Sequence, residues 1–577
     1  LEETIICYHS PNERRNAEYW LSSWKEGYYG DYWGRAQHFL LPSLCAERRR
    51  IETIGLIGVL ERKFAEYPKE RFVRGPQHGA GFVGSTLPSK SLERLSDRSW
   101  LKLVHNKNTP KDRASWRWKG EHYEESTIRQ FSGDLQRIAK RFPERFGRLA
   151  MQFADDVHPS YKAAILEGLK QTEPKEVPDD EKPNWEPAPV TIIEQVLDKF
   201  DDTSHKTYAL NFCRLLRDRA EERWSDEALE QLIGYACGHP DPKENRLCIG
   251  NPDGDFNAEN ATIGNLETNS LNGVRSVAAL AIGELLWNHP DLFERFKPTI
   301  IHLCKDSHPA VRIATVRACL PILNLDKDFA IDCFCEASNS DLRVAASNAG
   351  IHFFNCGIKS HKEKLEPLII KMLKASQADV VKQGASEVAA RWLFHEYFAE
   401  ELKLCLEGSV SQRKGVAEVA THFVAKKEHF EKCKAIIEVI MDDPEEEVRK
   451  PLFTMVREAD ILGFPEGVSL IQSFIESKAF RDHFDTLVSC CLGNYSGSLL
   501  PFAEVLFSIC EQVVGPIHEA NHYSYWSMPE FLPLLMRLYE QAEESRETRI
   551  VNRCLDALDK LFEKRVGVVH EIAKTIG

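Results

Sequence analysis

Residues 305–314 have the sequence Lys305-Asp306-Ser307-His308-Pro309-Ala310-Val311-Arg312-Ile313-Ala314. This pattern of a polar turn, a helix start and a basic residue returns along the chain, and it determines the fold. Basic residues in the same setting stand at positions 275, 312, 343, 382, 413 and 449, separated by 37, 31, 39, 31 and 36 residues. A repeat of this length, with helical sequence on both sides, predicts an array of helix pairs. Such arrays present long surfaces, so the repeat favours a binding function over a buried catalytic pocket.

The quoted stretch also predicts where the helices of one unit begin and end. The first helix is expected to end near Lys305, and the second to begin at Pro309, because the missing N–H of proline is not needed in a first helical turn. The second helix should end near Leu320, since Pro321 cannot continue it. Each unit is therefore two helices joined by a short polar turn.

Acidic and basic side chains at these turns are placed to bond to the neighbouring unit. Such bonds would form a structural ladder and not an active site. The repeat positions assigned to this ladder are Asp306, Arg312, Arg343 and Arg449.

Three regions are predicted along the chain. Residues 1–170 form an irregular helical region without a clear repeat, and residues 171–190 form an acidic, proline-rich connection that cannot be a helix interior. Residues 191–577 form the array of helix pairs. A second irregular segment at about 238–272 is rich in Asn, Asp and Gly, and a loop this long inside a repeat array is often functional. The fold class is therefore all-α.

Composition limits the function further. The chain is 43% hydrophobic and 28% charged, as in soluble globular proteins, and it has no apolar run long enough to cross a membrane. Its 16 cysteines are scattered and lack zinc-site spacing, which is typical of reduced thiols in a cytoplasmic protein. No secretory signal is visible at Leu1, which is also not an initiator methionine, so the chain is expected to be a processed product or the later part of a longer polypeptide.

Charge is distributed unevenly. Residues 1–150 contain 27 Lys and Arg against 19 Asp and Glu, whereas the remainder contains 47 against 69. An acidic repeat array argues against nucleic-acid binding along its length. The basic first part leaves a phosphate-rich or acidic partner open there, although the simpler interpretation is attraction between the two parts.

One motif would indicate an enzyme. His518-Glu519-Ala520-Asn521-His522 fits the H-E-x-x-H pattern, in which His518 and His522 bind zinc and Glu519 polarises the attacking water. The motif needs a stable helix and a third ligand. Gly515-Pro516 directly upstream interrupts a helix, and no third ligand stands out, so the metal site is kept as an alternative only.

The remaining motif matches are incomplete. A glycine-rich run at 79–86 has Ser85 where a phosphate-binding loop has its lysine, and Asp253-Gly-Asp255-Phe-Asn257 lacks the glutamate that completes a calcium loop. Cys237, His239 and Cys248 offer three metal ligands without a fourth. Trp116-Arg117-Trp118-Lys119 combines aromatic and basic residues, as single-strand binders do, but cation–π packing or a patch that faces a partner explains it equally well.

Two family resemblances add to this interpretation. The units from 273 to about 460 resemble HEAT repeats, with Asp306 and Val311-Arg312 as the closest match to the repeat word. More broadly, the order of segments resembles the helical C-terminal half of bacterial STAND (NACHT-like) NTPases, some of which defend against phage. The segments that carry this second resemblance are 96–101, 142–150, 159–169 and 555–567. It implies a sensor arm, with the ATPase module upstream.

The sequence therefore predicts a HEAT-like α-solenoid that acts as a non-catalytic scaffold or sensor, binds a protein partner and needs no cofactor. If the chain is the sensor arm of a STAND NTPase, the partner is expected to be a phage protein and oligomers to form through an upstream module. The partner is then expected to contact the loop at 238–272 or the loop at 510–530. The alternatives are a zinc metallopeptidase using His518, Glu519 and His522, and a free-standing HEAT-repeat adaptor.

Overall fold

The structure is a computed structural model of the 577-residue chain. It describes residues 38, 41–43, 49–63, 83–85, 89–106, 117–119, 122–125, 127–174, 177–179, 182–200, 205–252, 254–457, 459–514 and 528–563. By its internal contacts the chain divides into two units. One comprises residues 1–84 and 117–124, and the other comprises residues 85–116 and 125–577.

The described part of the first unit holds a 3-10 helix (Leu41–Ser43), the helix α1 (Ile51–Lys63) and most of a small sheet. Leu41, Ile57 and Leu60 form a small apolar cluster. The sheet has strands β1 (Val83–Ser85), β2 (Arg117–Lys119) and β3 (His122–Glu125) in the order β1-β3-β2, and β2 and β3 pair antiparallel with Trp118 opposite Tyr123. Three of the four residues of the aromatic and basic segment at 116–119 therefore lie in a strand.

Apart from the strand residues Ser85 and Glu125 and one β-bridge between Arg246 and Asn257, the described regular structure of the second unit is helical. Its first nine helices are α2 (Ser89–Glu93), α3 (Asp97–Asn106), α4 (Ile128–Arg141), α5 (Pro143–Ala150), α6 (Pro159–Leu169), α7 (Val190–Lys199), α8 (Lys206–Asp218), α9 (Asp226–Gly238) and α10 (Ile263–Ser270). The central helices are α11 (Val274–Asn288), α12 (Phe293–Cys304), α13 (Pro309–Ala318), α14 (Lys327–Asn339), α15 (Leu342–Ala345), α16 (Asn348–Gly357), α17 (Lys362–Leu373), α18 (Ala378–His395), α19 (Ala399–Leu406) and α20 (Val410–Phe423). The last are α21 (Phe430–Ile440), α22 (Glu446–Arg449), α23 (Leu452–Arg457), α24 (Pro465–Glu476), α25 (Ala479–Thr486), a π-helix (Leu487–Leu492), α26 (Ala503–Val514), α27 (Met528–Glu544) and α28 (Thr548–Glu563).

Local chemistry explains where these helices begin. Helix α13 begins at Pro309, as the sequence predicts, and the Nδ1 atom of His308 accepts the N–H of Ala310 at 3.2 Å. Ser409 caps α20 with a full capping box, in which Gln412 returns a bond to the Ser409 N–H. Such caps satisfy N–H groups that the helix leaves without partners.

The helices pack in chain order, each mainly against the next pair. Helix α11 contacts α13, α12 contacts α14, and α18 contacts α20. One continuous apolar core runs from Leu92 to Leu561. Where second helices approach closely, glycine replaces a side chain, since a Cβ atom on Gly415 would lie 2.2 Å from the carbonyl oxygen of Lys382. The prediction of a helix-pair solenoid is confirmed.

Some sequence predictions are not tested by this architecture. The region boundaries at 170 and 190 stay predictions, although Val177 and Ala188 of the connection are buried. No described helix is long and apolar enough to cross a membrane.

Candidate protein-binding surface

The short turns within the helix pairs share one edge, which carries a ladder of ion pairs. Arg275 at the start of α11 binds Asp306 in the next turn through two bonds of 2.7 and 3.0 Å. Arg413 of α20 binds Asp443 of the following turn at 2.7 Å, and Arg449 of α22 binds Asp482 at 2.7 Å. We call this edge the ladder edge. The bonds join consecutive units, because the repeat length brings each basic residue beside the next turn.

Arg312 and Arg343 form the middle of the ladder and differ from the others. Both are buried, and both lie near Asp341, at 3.9 Å for Arg312 and 2.7 Å for Arg343. Burial lowers the pKa of Arg312, and the charges of Asp341 and Asp306 oppose this. Arg343 makes a paired contact with Asp341, which leaves its Nη1 atom free to bind elsewhere.

One turn of the ladder edge is greatly enlarged. Helices α9 and α11 form a pair, and the chain between them, residues 239–273, includes a short 3-10 turn and helix α10. We call residues 239–273 the insert. The insert begins at the ladder edge and crosses the turns of the units that follow, so the long loop predicted at 238–272 has a defined structure here.

Arg343 is the main anchor of the insert. Its Nη1 atom donates to the carbonyl oxygens of Ala258, Glu259 and Ala261 at 2.8, 3.0 and 2.7 Å. The guanidinium therefore bridges Asp341 in the ladder and three carbonyl groups of the insert. A charged donor to several buried acceptors makes strong hydrogen bonds.

Further contacts hold the insert at both ends. The Nε2 atom of His308 lies 3.3 Å from the carbonyl oxygen of Arg246. Burial lowers the pKa of His308, which favours the neutral ring. Because Nδ1 of that ring accepts the Ala310 N–H, the proton is on Nε2, which donates to the carbonyl oxygen of Arg246. At the other end, the N–H of Ile263 donates to Asp379 at 3.0 Å.

The outer part of the insert is a hairpin-like bend that displays two apolar side chains. Leu247 donates its N–H to the carbonyl oxygen of Phe256 at 2.8 Å, and the amide of Asn269 binds both the N–H and the C=O of Ile249. Leu247 is buried, whereas Ile249 and Phe256 are each 46% exposed. We call Ile249 and Phe256 the insert tip. Because the backbone that carries them is already held by these bonds, the two side chains would lose little entropy on contact with a partner.

A polar cavity of about 640 Å³ opens beside the start of the insert. Its walls include Cys237, His239, Arg275 and Lys305. Burial lowers the pKa of His239, whose Nδ1 atom accepts the N–H of Asp241. Cys248, which the sequence groups with Cys237 and His239, instead contacts Lys206 and Asp241.

The described residues include no group of three or more His, Cys, Asp or Glu side chains placed to hold a metal ion. His518, Glu519 and His522 lie outside the described residues, as does most of the glycine-rich run at 79–86. Asp253 of the incomplete calcium-loop motif also lies outside the described residues. Asp255 of the same motif accepts hydrogen bonds from the backbone N–H of Asn257 and the side-chain amide of Asn260. Cys405 and Cys433 of the array are buried, and burial raises the pKa of Cys405 to about 11 and that of Cys433 to about 12.

Sequence reasoning missed the residues that fix the insert. The composition of 238–272 indicated a long functional loop, but it did not indicate that Arg343 and Asp379 would bind its backbone. The density of Asn residues, among them Asn269, was the available signal, because asparagine amides often satisfy the backbone of irregular segments.

The chain is similar to solved structures of helical proteins. No protein-family model matches the sequence, and no curated protein matches it. Among solved structures, Kap95p, which binds RanGDP, matches with 13% identity and a TM-score of 0.36 over 84% of this chain and 62% of Kap95p. The karyopherin Kap121p bound to Pho4p matches with 12% identity and a TM-score of 0.33, over 96% of this chain and 62% of Kap121p.

The chain thus spans about three fifths of the length of these solved chains. Because the TM-scores lie below 0.5, the fold assignment comes from the helix order and the ladder of this chain and not from these matches.

Proposed function

We propose that this chain is a non-catalytic helical-repeat scaffold that binds a protein partner through the insert tip. The observation that carries the proposal is the anchoring of the insert by Arg343, which holds exposed Ile249 and Phe256 on a fixed backbone. A contact surface that is already ordered loses little entropy on binding. Two large apolar side chains that stay accessible on such a surface can enter pockets of a partner.

The chemistry of the surface favours a protein over other ligands. The array is acidic, which opposes nucleic acid, and the ladder cations are engaged by carboxylates or carbonyl groups of the chain itself. The two side chains of the tip are apolar and about half exposed. A small molecule would gain little buried area there.

The test begins with a photo-reactive phenylalanine analogue in place of Phe256, introduced in cells that make the full chain. The matched control carries the analogue at Phe453, which is 44% exposed on α23. A protein that cross-links at position 256 and not at 453 is then purified, and its affinity for the chain is measured. The double variant Ile249→Ser, Phe256→Ser should weaken this affinity by about tenfold or more.

The control for that variant is Leu404→Ser, Val439→Ser, which changes two apolar side chains that are 66% and 58% exposed. It should leave the affinity unchanged. Equal affinities of the tip variant and the wild-type chain would contradict the proposal, as would equal cross-linking at positions 256 and 453.

A narrower form of the proposal comes from the STAND resemblance. In it the chain is the cytoplasmic sensor region of an antiphage NTPase, the partner is a phage protein, and oligomers form through an upstream ATPase module. Binding would then favour the active state of that module by differential affinity. Immunoblotting of the native protein tests this form, which requires a polypeptide clearly larger than the 65.9 kDa of the chain.

The H-E-x-x-H motif supports a second candidate function, that of a zinc metallopeptidase. Elemental analysis of the purified chain decides this candidate. Stoichiometric zinc that is lost in the variant His518→Ala would establish the metal site, and a metal-free chain purified from zinc-supplemented cells would reject it.

A further inference from the structure

The opposite ends of the central helices carry a second surface, formed by aromatic and imidazole rings. The rings belong to Phe394, His395, Tyr397, His422, Phe423 and His429. Phe394 packs edge-on against Phe423 at 5.0 Å and against His429 at 4.8 Å between ring centroids. We call these six residues the ring surface. It lies where α18 and α20 end and α21 begins, about 27 Å from the ladder edge for the 18 residues of α18.

Two residues of the ring surface are exposed, the other four are half-buried, and the backbone beside Tyr397 is constrained. Phe394 is 42% exposed, and His422 is also exposed. Glu396 and Phe398, on either side of Tyr397, both have left-handed backbone conformations, with φ of 60° and 64°. This conformation is unfavourable for a bulky residue by about 1 kcal/mol or more, and the burial of the Phe398 side chain offsets it. Tyr397 is thus held in place between two constrained residues.

Three lysines near the ring surface have no ion-pair partner among the described residues, whereas Lys362 and Lys432 are paired with Glu366 and Glu396. Lys426 and Lys427 lie in the turn between Phe423 and His429, and they make no ion pair with any residue that the structure describes. Lys359 also makes none within the described part of the chain, and its charge lies close enough to His395 to help burial lower the pKa of that imidazole. In a chain with a net charge of −14, a group of unpaired cations beside exposed rings is a distinct local feature.

We infer that the ring surface binds an acidic segment of a partner protein that carries an aromatic or large aliphatic side chain. The rings supply apolar contact, and the lysines supply attraction for carboxylates. This inference rests on the proposed role as a protein-binding scaffold, but it concerns the other end of the helices. The carboxylates of Glu396 and Glu428 also lie in this surface, at 3.0 Å from Lys432 and 3.3 Å from the Nε2 atom of His429, so the attraction for an acidic segment comes from Lys359, Lys426 and Lys427.

The inference can be tested with a defined probe. The probe is a short fluorescent peptide in which glutamates flank two phenylalanines, and its binding to the full chain is followed by fluorescence anisotropy. The variant Phe394→Ala and the double variant Lys426→Glu, Lys427→Glu should each weaken binding by about tenfold or more. Added salt should weaken binding to the wild-type chain and have a smaller effect on the lysine variant.

Matched controls separate this surface from general effects. Phe453→Ala removes a phenylalanine of similar exposure, and Lys371→Glu, Lys374→Glu reverses two exposed lysines, one in the last turn of α17 and one at its C-cap. Both controls should bind the peptide as the wild type does, and circular dichroism should show all variants folded. The tip variant Ile249→Ser, Phe256→Ser should also bind normally, so that failure here is distinguishable from failure of the proposed function.

Several outcomes would overturn the inference. One is the absence of saturable peptide binding, and another is equal weakening by the control variants. A third is tighter binding of single-stranded RNA than of the acidic peptide, since this would assign the surface to nucleic acid. Unchanged binding after both phenylalanines of the peptide are replaced by serine would also contradict it, because the ring contacts would then contribute nothing.

Discussion

Replacing Arg343 with methionine should release the insert from the ladder edge. The change keeps most of the apolar stem of the buried side chain and removes its hydrogen-bond donors. The carbonyl oxygens of Ala258 and Ala261 then lose their contacts of 2.8 and 2.7 Å. These two residues are only 1% and 5% exposed, so water cannot replace the guanidinium unless the insert moves.

The size of the effect follows from those two acceptors. An unsatisfied buried acceptor costs about 1–3 kcal/mol, so the pair destabilises the closed insert by about 2–6 kcal/mol. Each 1.4 kcal/mol corresponds to about a tenfold change in the opening equilibrium, and amide exchange in the insert should therefore accelerate by at least about thirtyfold.

Hydrogen exchange followed by mass spectrometry measures this directly, with peptides that cover residues 245–262. The matched control is Arg449→Met, because Arg449 occupies the same ladder position and binds Asp482, but contacts no part of the insert. The control should lower the stability of its own units and leave exchange in the insert unchanged. Unchanged exchange in Arg343→Met, or equal acceleration in both variants, would refute the anchoring role of Arg343.

Three other predictions concern the helix array. Burial lowers the pKa of His308 below its ordinary 6.5, so below pH 6.5 the unfolded chain binds a proton at this ring that the folded chain excludes. The free energy of unfolding, measured by urea titration, should therefore fall as pH drops, by up to about 1.4 kcal/mol per pH unit. This fall should be smaller in His308→Asn. Gly415→Ala should destabilise by about 1–3 kcal/mol in the same assay, because a Cβ atom meets a backbone oxygen at 2.2 Å, whereas Gly234→Ala, with open space, should stabilise by about 0.5–1 kcal/mol. Glu387→Ala should destabilise by about 3–5 kcal/mol, since it leaves the buried guanidinium of Arg391 without its 2.9 Å carboxylate partner, and Glu387→Gln should cost less.

Each of these predictions has an outcome that would contradict it. An equal acid dependence in His308→Asn and the wild type would assign the loss of stability to other groups. A neutral Gly415→Ala would show that the helices can separate without cost. Equal effects of alanine and glutamine at Glu387 would show that the bond to Arg391 contributes little.

The repeat was predictable from sequence because its information is local. Pro309 follows a polar turn, and a helix begins there as expected. The predicted end of the preceding helix near Lys305 is within one residue of the observed end at Cys304. Basic residues at nearly constant spacing indicated one edge of the array, and the structure places Arg275, Arg413 and Arg449 in bonds to the following units.

The two candidate surfaces were less predictable, because their contacts join residues far apart in the chain. The N–H of Ile263 meets Asp379 across 116 positions, and Arg343 meets Ala258 across 85. No local pattern shows which backbone carbonyl groups a distant arginine will bind. The ring surface did leave a signal, since His395, His422 and His429 all stand near helix ends beside aromatic residues, but only packing shows that their rings meet.

If a partner protein binds the insert tip, the insert should stay anchored on the ladder edge when the partner is bound. Hydrogen exchange of the chain, measured with and without the partner that cross-links at position 256, shows whether it does. We expect added protection concentrated at residues 247–257, with the amides near Arg343 equally slow in both states. Protection confined to other parts of the chain, or faster exchange across the insert on binding, would contradict it.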